Sequence, residues 1–139
     1  MKPPHSSFKA KQIPVSVKGI VSFQGKYLLR KNERNEWELL GGKLEAKELP
    51  LACVVRELRE EAGLNVNPIG LIDTWIYHLD QERRVLILTY VCTAKEVLFS
   101  LTSPEGSELA WFTMSEIAVL NMPEGYKRSI MLHKEMFVF

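Results

Sequence analysis

The chain has 139 residues, of which 46% are hydrophobic and 25% are charged, and its formal net charge is +1. This length and composition are sufficient for one globular domain that buries its own core. The near-neutral charge argues against nucleic acid or an acidic membrane surface as a partner, and no apolar run is long enough to cross a bilayer. We therefore expect a cytoplasmic protein.

In chain order, a polar segment over residues 1–12 with two prolines predicts a flexible tail, followed by a single domain over residues 13–139. Runs of β-branched and aromatic residues then predict strands. Short polar breaks predict that the first two strands form one hairpin and that the fourth and fifth form another. The predicted strands cover residues 15–23, 25–31, 37–45, 64–79, 83–94 and 108–113, of which 37–45 starts extended and breaks at the glycine pair. The predicted helices cover residues 50–62, 114–120 and 126–137. This order predicts a mixed sheet with helices packed on it, an α/β or α+β fold.

The first two predicted helices carry recognisable end signals. Pro50 suits the first turn of a helix, and Gly63 suits its C-terminal stop. Ser115 is the predicted N-cap of the second helix. Helical periodicity assigns the core-facing stripe of the first helix to Leu51, Val55, Leu58 and Ala62.

The two cysteines, Cys53 and Cys92, have neither CxxC spacing nor a neighbouring histidine cluster. A zinc or redox site is therefore a poor interpretation. We expect both thiols to be buried and reduced.

Three acidic residues share one face of the first predicted helix. Glu57, Glu60 and Glu61 stand at i, i+3 and i+4, a spacing at which like charges repel, and they lie near the helix C-terminus, where the macrodipole also disfavours them. A divalent cation removes this conflict, because hard ions such as Mg²⁺ prefer carboxylate oxygens. Gly41 and Gly42 allow a close backbone approach and can offer a bare carbonyl as another hard ligand. The alternative is a solvated acidic helix face.

With its flanks, this segment resembles the Nudix box, G-x5-E-x7-R-E-U-x-E-E-x-G-U, where U is aliphatic. All fixed positions are filled, by Gly42, Glu48, Arg56, Glu57, Leu58, Glu60, Glu61, Gly63 and Leu64. The resemblance implies a Nudix-type α/β/α sandwich with a mixed β-sheet and a loop–helix–loop metal site. It also implies hydrolysis of the pyrophosphate bond in a nucleoside diphosphate linked to another moiety, X, by attack of a metal-bound water. The implied cofactor is Mg²⁺, with Mn²⁺ as a substitute.

The resemblance also implies roles for individual residues. Glu57, Glu60 and Glu61 resemble the metal-binding and catalytic carboxylates, and the carbonyl of Gly41 resembles an additional ligand. Glu48 and Arg56 resemble a structural pair that fixes the loop against the helix.

Members of the family often use a further glutamate from outside the box. Here Glu105 is the first candidate and Glu108 the second, and the alternative is that each is an exposed loop acid. Leu40 stands where many members have proline, which removes a rigid constraint from the loop and no ligand.

Candidate substrate contacts lie outside the acidic set. Arg30 and Lys43 could face the substrate phosphates, and Trp37 and Tyr77 could stack on a base, as could Trp75. The alternatives are a solvent-facing strand end for Arg30 and a core position for the aromatic residues. The small size of the chain resembles members that act on (d)NTPs or modified nucleotides.

Two questions stay open at this stage. A non-catalytic nucleotide-binding or sensor module on the same fold is the alternative function, although the complete set of box glutamates favours the enzyme. The apolar C-terminal stretch "MLHKEMFVF" could form a homodimer interface or could complete the core.

Overall fold

The computed structural model describes residues 12–95 and 103–137. The predicted tail therefore lies outside the described residues except for Gln12. The strands are β1 (Val15–Ile20), β2 (Ser22–Phe23), β3 (Lys26–Lys31), β4 (Trp37–Lys43), β5 (Val66–His78), β6 (Arg84–Ala94) and β7 (Glu108–Thr113), and the helices are α1 (Pro50–Ala62), α2 (Met114–Ala118) and α3 (Glu124–Phe137).

The strands form one mixed sheet in the order β2-β3-β4-β1-β6-β5, with β7 paired to β3. The β1–β6 pair is parallel and the other pairs are antiparallel. The predicted β5–β6 hairpin is present. The first predicted hairpin is wrong for most of its length, because only Ser22 and Phe23 pair with β3. The rest of that segment is β1, which lies between β4 and β6.

Two apolar layers cover the two faces of the sheet. One contains Val54 and Leu58 of α1, and the other contains Ile117 of α2 with Tyr126 and Ile130 of α3. Helices on both sides of a mixed sheet confirm the predicted α/β/α sandwich.

The predicted core stripe of α1 is partly wrong. Leu51 is 50% exposed. Leu58 and Ala62 are buried as predicted, and the helix also buries Cys53, Val54 and Glu61. Gly19 of β1 lies directly beneath the buried face, since a β-carbon there would lie 3.0 Å from both Val54 and Leu58. The missing side chain lets this rotated face of α1 approach the sheet.

The ends of the helices match the sequence in part. Helix α1 begins at Pro50 and ends at Gly63, which is left-handed (φ 65°) and donates its N–H to the Arg59 carbonyl at 2.9 Å. The predicted cap Ser115 is wrong, because the N-cap of α2 is Thr113, which forms a capping box with Glu116.

Helix α3 and the cysteines settle three smaller predictions. Helix α3 begins two residues earlier than predicted, at Glu124. Within the described part of the C-terminal stretch, His133 is buried whereas Met131, Met136 and Phe137 are exposed, so this part contributes to the core and also presents apolar surface. Both cysteines are free and buried, as predicted. Among the described residues, no helix has the length and apolar character of a membrane span.

Candidate active site

The site begins where α1 and β4 meet, at Gly41 and Glu61. The N–H of Gly41 donates to Oε1 of Glu61 at 2.6 Å, and the Gly41 carbonyl accepts from Nζ of Lys18 at 3.3 Å. Gly41 has φ +143°, and a β-carbon there would lie 2.0 Å from the Val17 carbonyl oxygen. Only glycine therefore fits where β4 turns its backbone toward Glu61.

Four charged side chains meet at this point, and we call them the inner network: Lys18, Arg30, Glu38 and Glu61. Arg30 lies 2.8 Å from Glu38 and 3.1 Å from Glu61, and Lys18 lies 3.8 Å from Glu38. Lys18 is 5% exposed and Glu61 is 4% exposed. Burial disfavours an isolated charge, so each buried ion of this network is stabilised only while its partners remain in place.

Burial shapes the proton affinities of this network. Burial raises the pKa of Glu61 to about 7, although Lys18, the Gly41 N–H and Arg30 act in the opposite direction. Burial would lower the pKa of Lys18, but Tyr126, Glu38 and Glu61 outweigh it and raise that pKa above the ordinary lysine value. The network therefore combines a lysine that stays charged with a carboxyl group whose pKa is held above its ordinary range by burial.

Arg56 of α1 organises a second group, the outer network, with Glu48 of the preceding loop and with Glu57 and Glu60 of the same helix. It binds Glu48 through two hydrogen bonds of 2.7 and 3.0 Å and also contacts Glu57 at 2.9 Å and Glu60 at 3.2 Å. The hydrogen bonds from Arg56 hold the pKa of Glu48 at about 2. The predicted Glu48–Arg56 contact is therefore present, and it ties the loop after β4 to α1.

Glu57 connects the outer network to the two glycines near the end of β4. A β-carbon on Gly42 would lie 2.5 Å from the Glu57 carboxyl group, so the missing side chain makes room for that carboxylate. Burial raises the pKa of Glu57, against the effect of Arg56. Both glycines of β4 thus contact acids of α1, Gly41 through its N–H and Gly42 through the space that its missing side chain leaves.

Comparison with known proteins assigns the chain to a family. The family model described as "NUDIX domain" matches residues 12–132. The chain belongs to the Nudix family. A "MutT-like protein" of Streptomyces ambofaciens is 34% identical over 106 residues, which cover 75% of this chain and 66% of the relative. An "8-oxo-dGTP diphosphatase" of Proteus vulgaris is 38% identical over 71 residues, which cover 51% of this chain and 61% of the relative. The matches thus span less than two thirds of these relatives.

Solved structures agree on the fold. The solution structure of the E. coli ORF135 protein superimposes with a TM-score of 0.71 over 99% of both chains, at 21% identity. A likeness at this level of identity concerns the fold alone.

Nudix enzymes generally use divalent metal ions, and the donor set of this chain fits such an ion. In the part of the chain that the structure describes, no three Asp, Glu, His or Cys side chains converge as a ready metal site, because arginines hold the carboxylates. The candidate ligands are nevertheless all hard oxygens. Leaving aside the exposed Glu45, the two networks contain three cationic and five acidic groups, so two negative charges remain when all are ionised. The cations are Lys18, Arg30 and Arg56, and the acids are Glu38, Glu48, Glu57, Glu60 and Glu61.

The candidate acids outside the Nudix box lie on one loop and the strand that follows it. Glu105 is exposed on the turn that Gly106 closes with a bond to the Ser103 carbonyl. Glu108 is exposed and pairs in register with Lys31. Ser107, between them, accepts a 3.2 Å hydrogen bond from Arg30, which links this loop to the inner network.

The predicted substrate contacts divide into three groups. Arg30 is half-buried and bound to Glu38 and Glu61, so its charge is engaged within the site and the predicted solvent-facing alternative is wrong. Lys43 is exposed at the end of β4, as a phosphate contact requires. Trp37 and Tyr77 are half-buried against the apolar layer formed with α2 and α3.

The aromatic residues have specific partners. Trp37 meets Phe112 edge-on at 4.8 Å, and Tyr77 stacks on Trp75 at 5.6 Å and donates to Glu36 at 3.3 Å. These contacts give both residues a packing role. Both side chains are also partly exposed, so their stacking on a substrate base stays a prediction.

Two members of the inner network, Lys18 and Glu38, were missed by the sequence analysis. Each is a charged residue inside an otherwise apolar strand, in "VSVKGI" and "WELLGGK". Such a residue costs free energy unless it is paired. The signal that could have revealed Lys18 and Glu38 is one charged residue of opposite sign in each of two apolar strands, because such residues need a partner.

Proposed function

We propose that this chain is a Mg²⁺-dependent Nudix pyrophosphohydrolase, with Mn²⁺ as a substitute ion. It cleaves the pyrophosphate bond of a nucleoside diphosphate linked to another group, and a (d)NTP or a modified nucleotide is the proposed substrate. The name of the 8-oxo-dGTP diphosphatase relative supports that substrate class.

One observation carries the proposal: acids of α1 and the backbone of β4 converge. Glu61 Oε1 lies 2.6 Å from the Gly41 nitrogen, and the Glu57 carboxyl group faces Gly42. Glu60 lies on the same helix face and shares Arg56 with Glu57. The carboxylates of Glu57, Glu60 and Glu61 and the carbonyl of Gly41 would therefore hold the ion.

When bound, such an ion neutralises phosphate charge and lowers the pKa of its water. The protein side chains position the carboxylates, the attacking water and the substrate. Arg56 orients Glu57 and Glu60 from one side, and Arg30 holds Glu61 from the other. Glu105 stands exposed on the loop that Ser107 joins to Arg30, where it is our first candidate for accepting the proton of the attacking water. Exposed Lys43 is the candidate contact for a substrate phosphate.

The test is a substrate panel with product analysis. Purified protein is incubated with 8-oxo-dGTP, normal (d)NTPs, nucleotide sugars, ADP-ribose and dinucleoside polyphosphates, with Mg²⁺, Mn²⁺ or EDTA. We expect metal-dependent turnover of the nucleoside triphosphates that Glu61→Gln abolishes. Glu124→Gln, which changes an exposed glutamate at the start of α3, is the matched control.

Two results would overturn the proposal. Equal turnover in EDTA and in Mg²⁺ would show that the activity does not depend on a metal ion. No turnover of any compound, together with nucleotides that raise the melting temperature, would favour the non-catalytic binding module instead. Glu105→Gln and Glu108→Gln, measured beside Glu61→Gln, separate the two candidates for the proton acceptor.

A further inference from the structure

Lys18 is a buried cation placed against the oxygens that would hold a metal ion. Its amine lies 3.3 Å from the Gly41 carbonyl and 3.8 Å from Glu38, and it faces the ring of Tyr126 at 5.8 Å from the centroid. Lys18 is 5% exposed, so water contributes little to its solvation. Its charge is therefore stabilised chiefly by acidic and carbonyl oxygens of the site.

The same carbonyl has two possible cationic partners. We propose that Lys18 is an internal counter-cation of the candidate metal site. It holds the Gly41 carbonyl in the metal-free protein, and it must yield that carbonyl and move onto Glu38 when a divalent ion binds. This inference rests on the proposed function, because it concerns the same metal site.

The contacts of Gly41 support this exchange. Its N–H is held by Glu61 and its carbonyl by Lys18, so the Gly41 backbone is already oriented before any ion arrives. Glu38 offers a second place for the amine, since its carboxylate accepts from Arg30 and Asn32 and also lies within ion-pair distance of Lys18. A short shift of a flexible side chain thus suffices.

The electrostatics give the direction of the effect. Removing the Lys18 charge leaves less positive charge beside the carboxylates of both networks. The change should strengthen the binding of a divalent ion and destabilise the metal-free fold. One charge at a few ångströms from a divalent ion changes its binding constant by about tenfold, even with the screening of bulk water. A purely structural lysine would have the opposite effect, because disorder at the site would weaken metal binding.

The experiment measures Mn²⁺ binding directly, by electron paramagnetic resonance of the free ion, without substrate. Lys18→Met removes the charge and keeps an unbranched side chain that is one atom shorter, Lys18→Gln keeps a hydrogen-bond donor without charge, and Lys18→Arg keeps the charge. Lys26→Met is the control, because Lys26 is exposed and pairs with Thr113 at the other end of β3. Thermal unfolding in EDTA and in Mn²⁺ gives a second readout.

We expect Lys18→Met and Lys18→Gln to bind Mn²⁺ about tenfold more tightly than the wild type. Their melting temperatures in EDTA should be lower than that of the wild type, and Mn²⁺ should raise them by more. Lys18→Arg and Lys26→Met should bind Mn²⁺ like the wild type. Equal or weaker binding by both uncharged variants would overturn the inference and leave the proposed function intact. If Lys18→Met does not fold, Lys18→Gln decides. A wild-type chain that binds no Mn²⁺ would overturn both this inference and the proposed metal site.

Discussion

The carboxylate of Glu61 accepts a 2.6 Å hydrogen bond from the N–H of Gly41, so the last turn of α1 is fixed to the loop end of β4. The two residues are 20 positions apart in the chain. The bond joins a buried acid to a backbone conformation that other residues rarely adopt. The shape of the site at this point therefore depends on one glycine and one carboxylate together.

Replacing Gly41 by alanine should destabilise the fold. A β-carbon would meet the Val17 carbonyl oxygen at 2.0 Å, and φ +143° is strained for any side chain. We expect Gly41→Ala to lower the free energy of unfolding by about 3 kcal/mol, measured by urea denaturation. Gly70→Ala is the control, because Gly70 has no atom within 4 Å of the added carbon, and its effect should stay within about 0.5 kcal/mol. Equal stabilities for the two variants would contradict the strained geometry.

The neighbouring substitution should affect activity more than stability. At Gly42 the added carbon meets the Glu57 carboxyl group, which is the end of a flexible side chain and can move aside. We expect Gly42→Ala to fold, with a loss below about 1 kcal/mol, and to lose about 10- to 100-fold in metal-dependent turnover because Glu57 is displaced. Steady-state kinetics measures the loss of turnover, and urea denaturation measures the loss of stability. Wild-type turnover in this variant would show that the position of Glu57 is unimportant.

Arg56 can be tested by a substitution that keeps its charge. Lysine cannot reproduce the two parallel bonds to Glu48 or reach Glu57 and Glu60 at the same time. We expect Arg56→Lys to lower kcat/KM about 10-fold or more. Arg59→Lys, on the same helix, is the matched control, because Arg59 is exposed and contacts Asn65. Equal losses in both variants would show a general effect on α1 and not a role for Arg56.

The local parts of the site could be predicted from the sequence. Pro50 and Gly63 delimit α1, and the spacing of Glu57, Glu60 and Glu61 places them on one face, because helix geometry depends on neighbours in the chain. Lys18 and Glu38 could not be found in this way. Their contact depends on the pairing of β1 with β4, and the expected β1–β3 hairpin hid that pairing. The exposure of Leu51 escaped prediction for the same reason, since the buried face of α1 packs closely on Gly19 of β1, which is distant in the chain.

Far from the site, His133 predicts how stability depends on pH. It is buried, its Nδ1 lies 3.0 Å from the Tyr27 hydroxyl, and its ring stacks on Phe137. Burial lowers the pKa of His133 below its usual value of 6.5. The unfolded chain therefore binds a proton at a higher pH than the folded chain does. The stability that neutral His133 contributes to the fold is fully present above pH 6.5. This stability is lost as the pH falls from 6.5 toward the pKa of His133 in the folded chain.

The measurement is urea denaturation of the wild type and His133→Gln between pH 5 and 8. Glutamine cannot titrate, so the wild type should lose more stability than the variant on acidification. The extra loss should reach about 1.4 kcal/mol for each unit that separates the folded and unfolded pKa values. His78→Gln, which removes an exposed imidazole, is the matched control. Parallel profiles for the wild type and His133→Gln would mean that His133 protonates equally well in both states, and the buried contact with Tyr27 would then not exclude the charged ring.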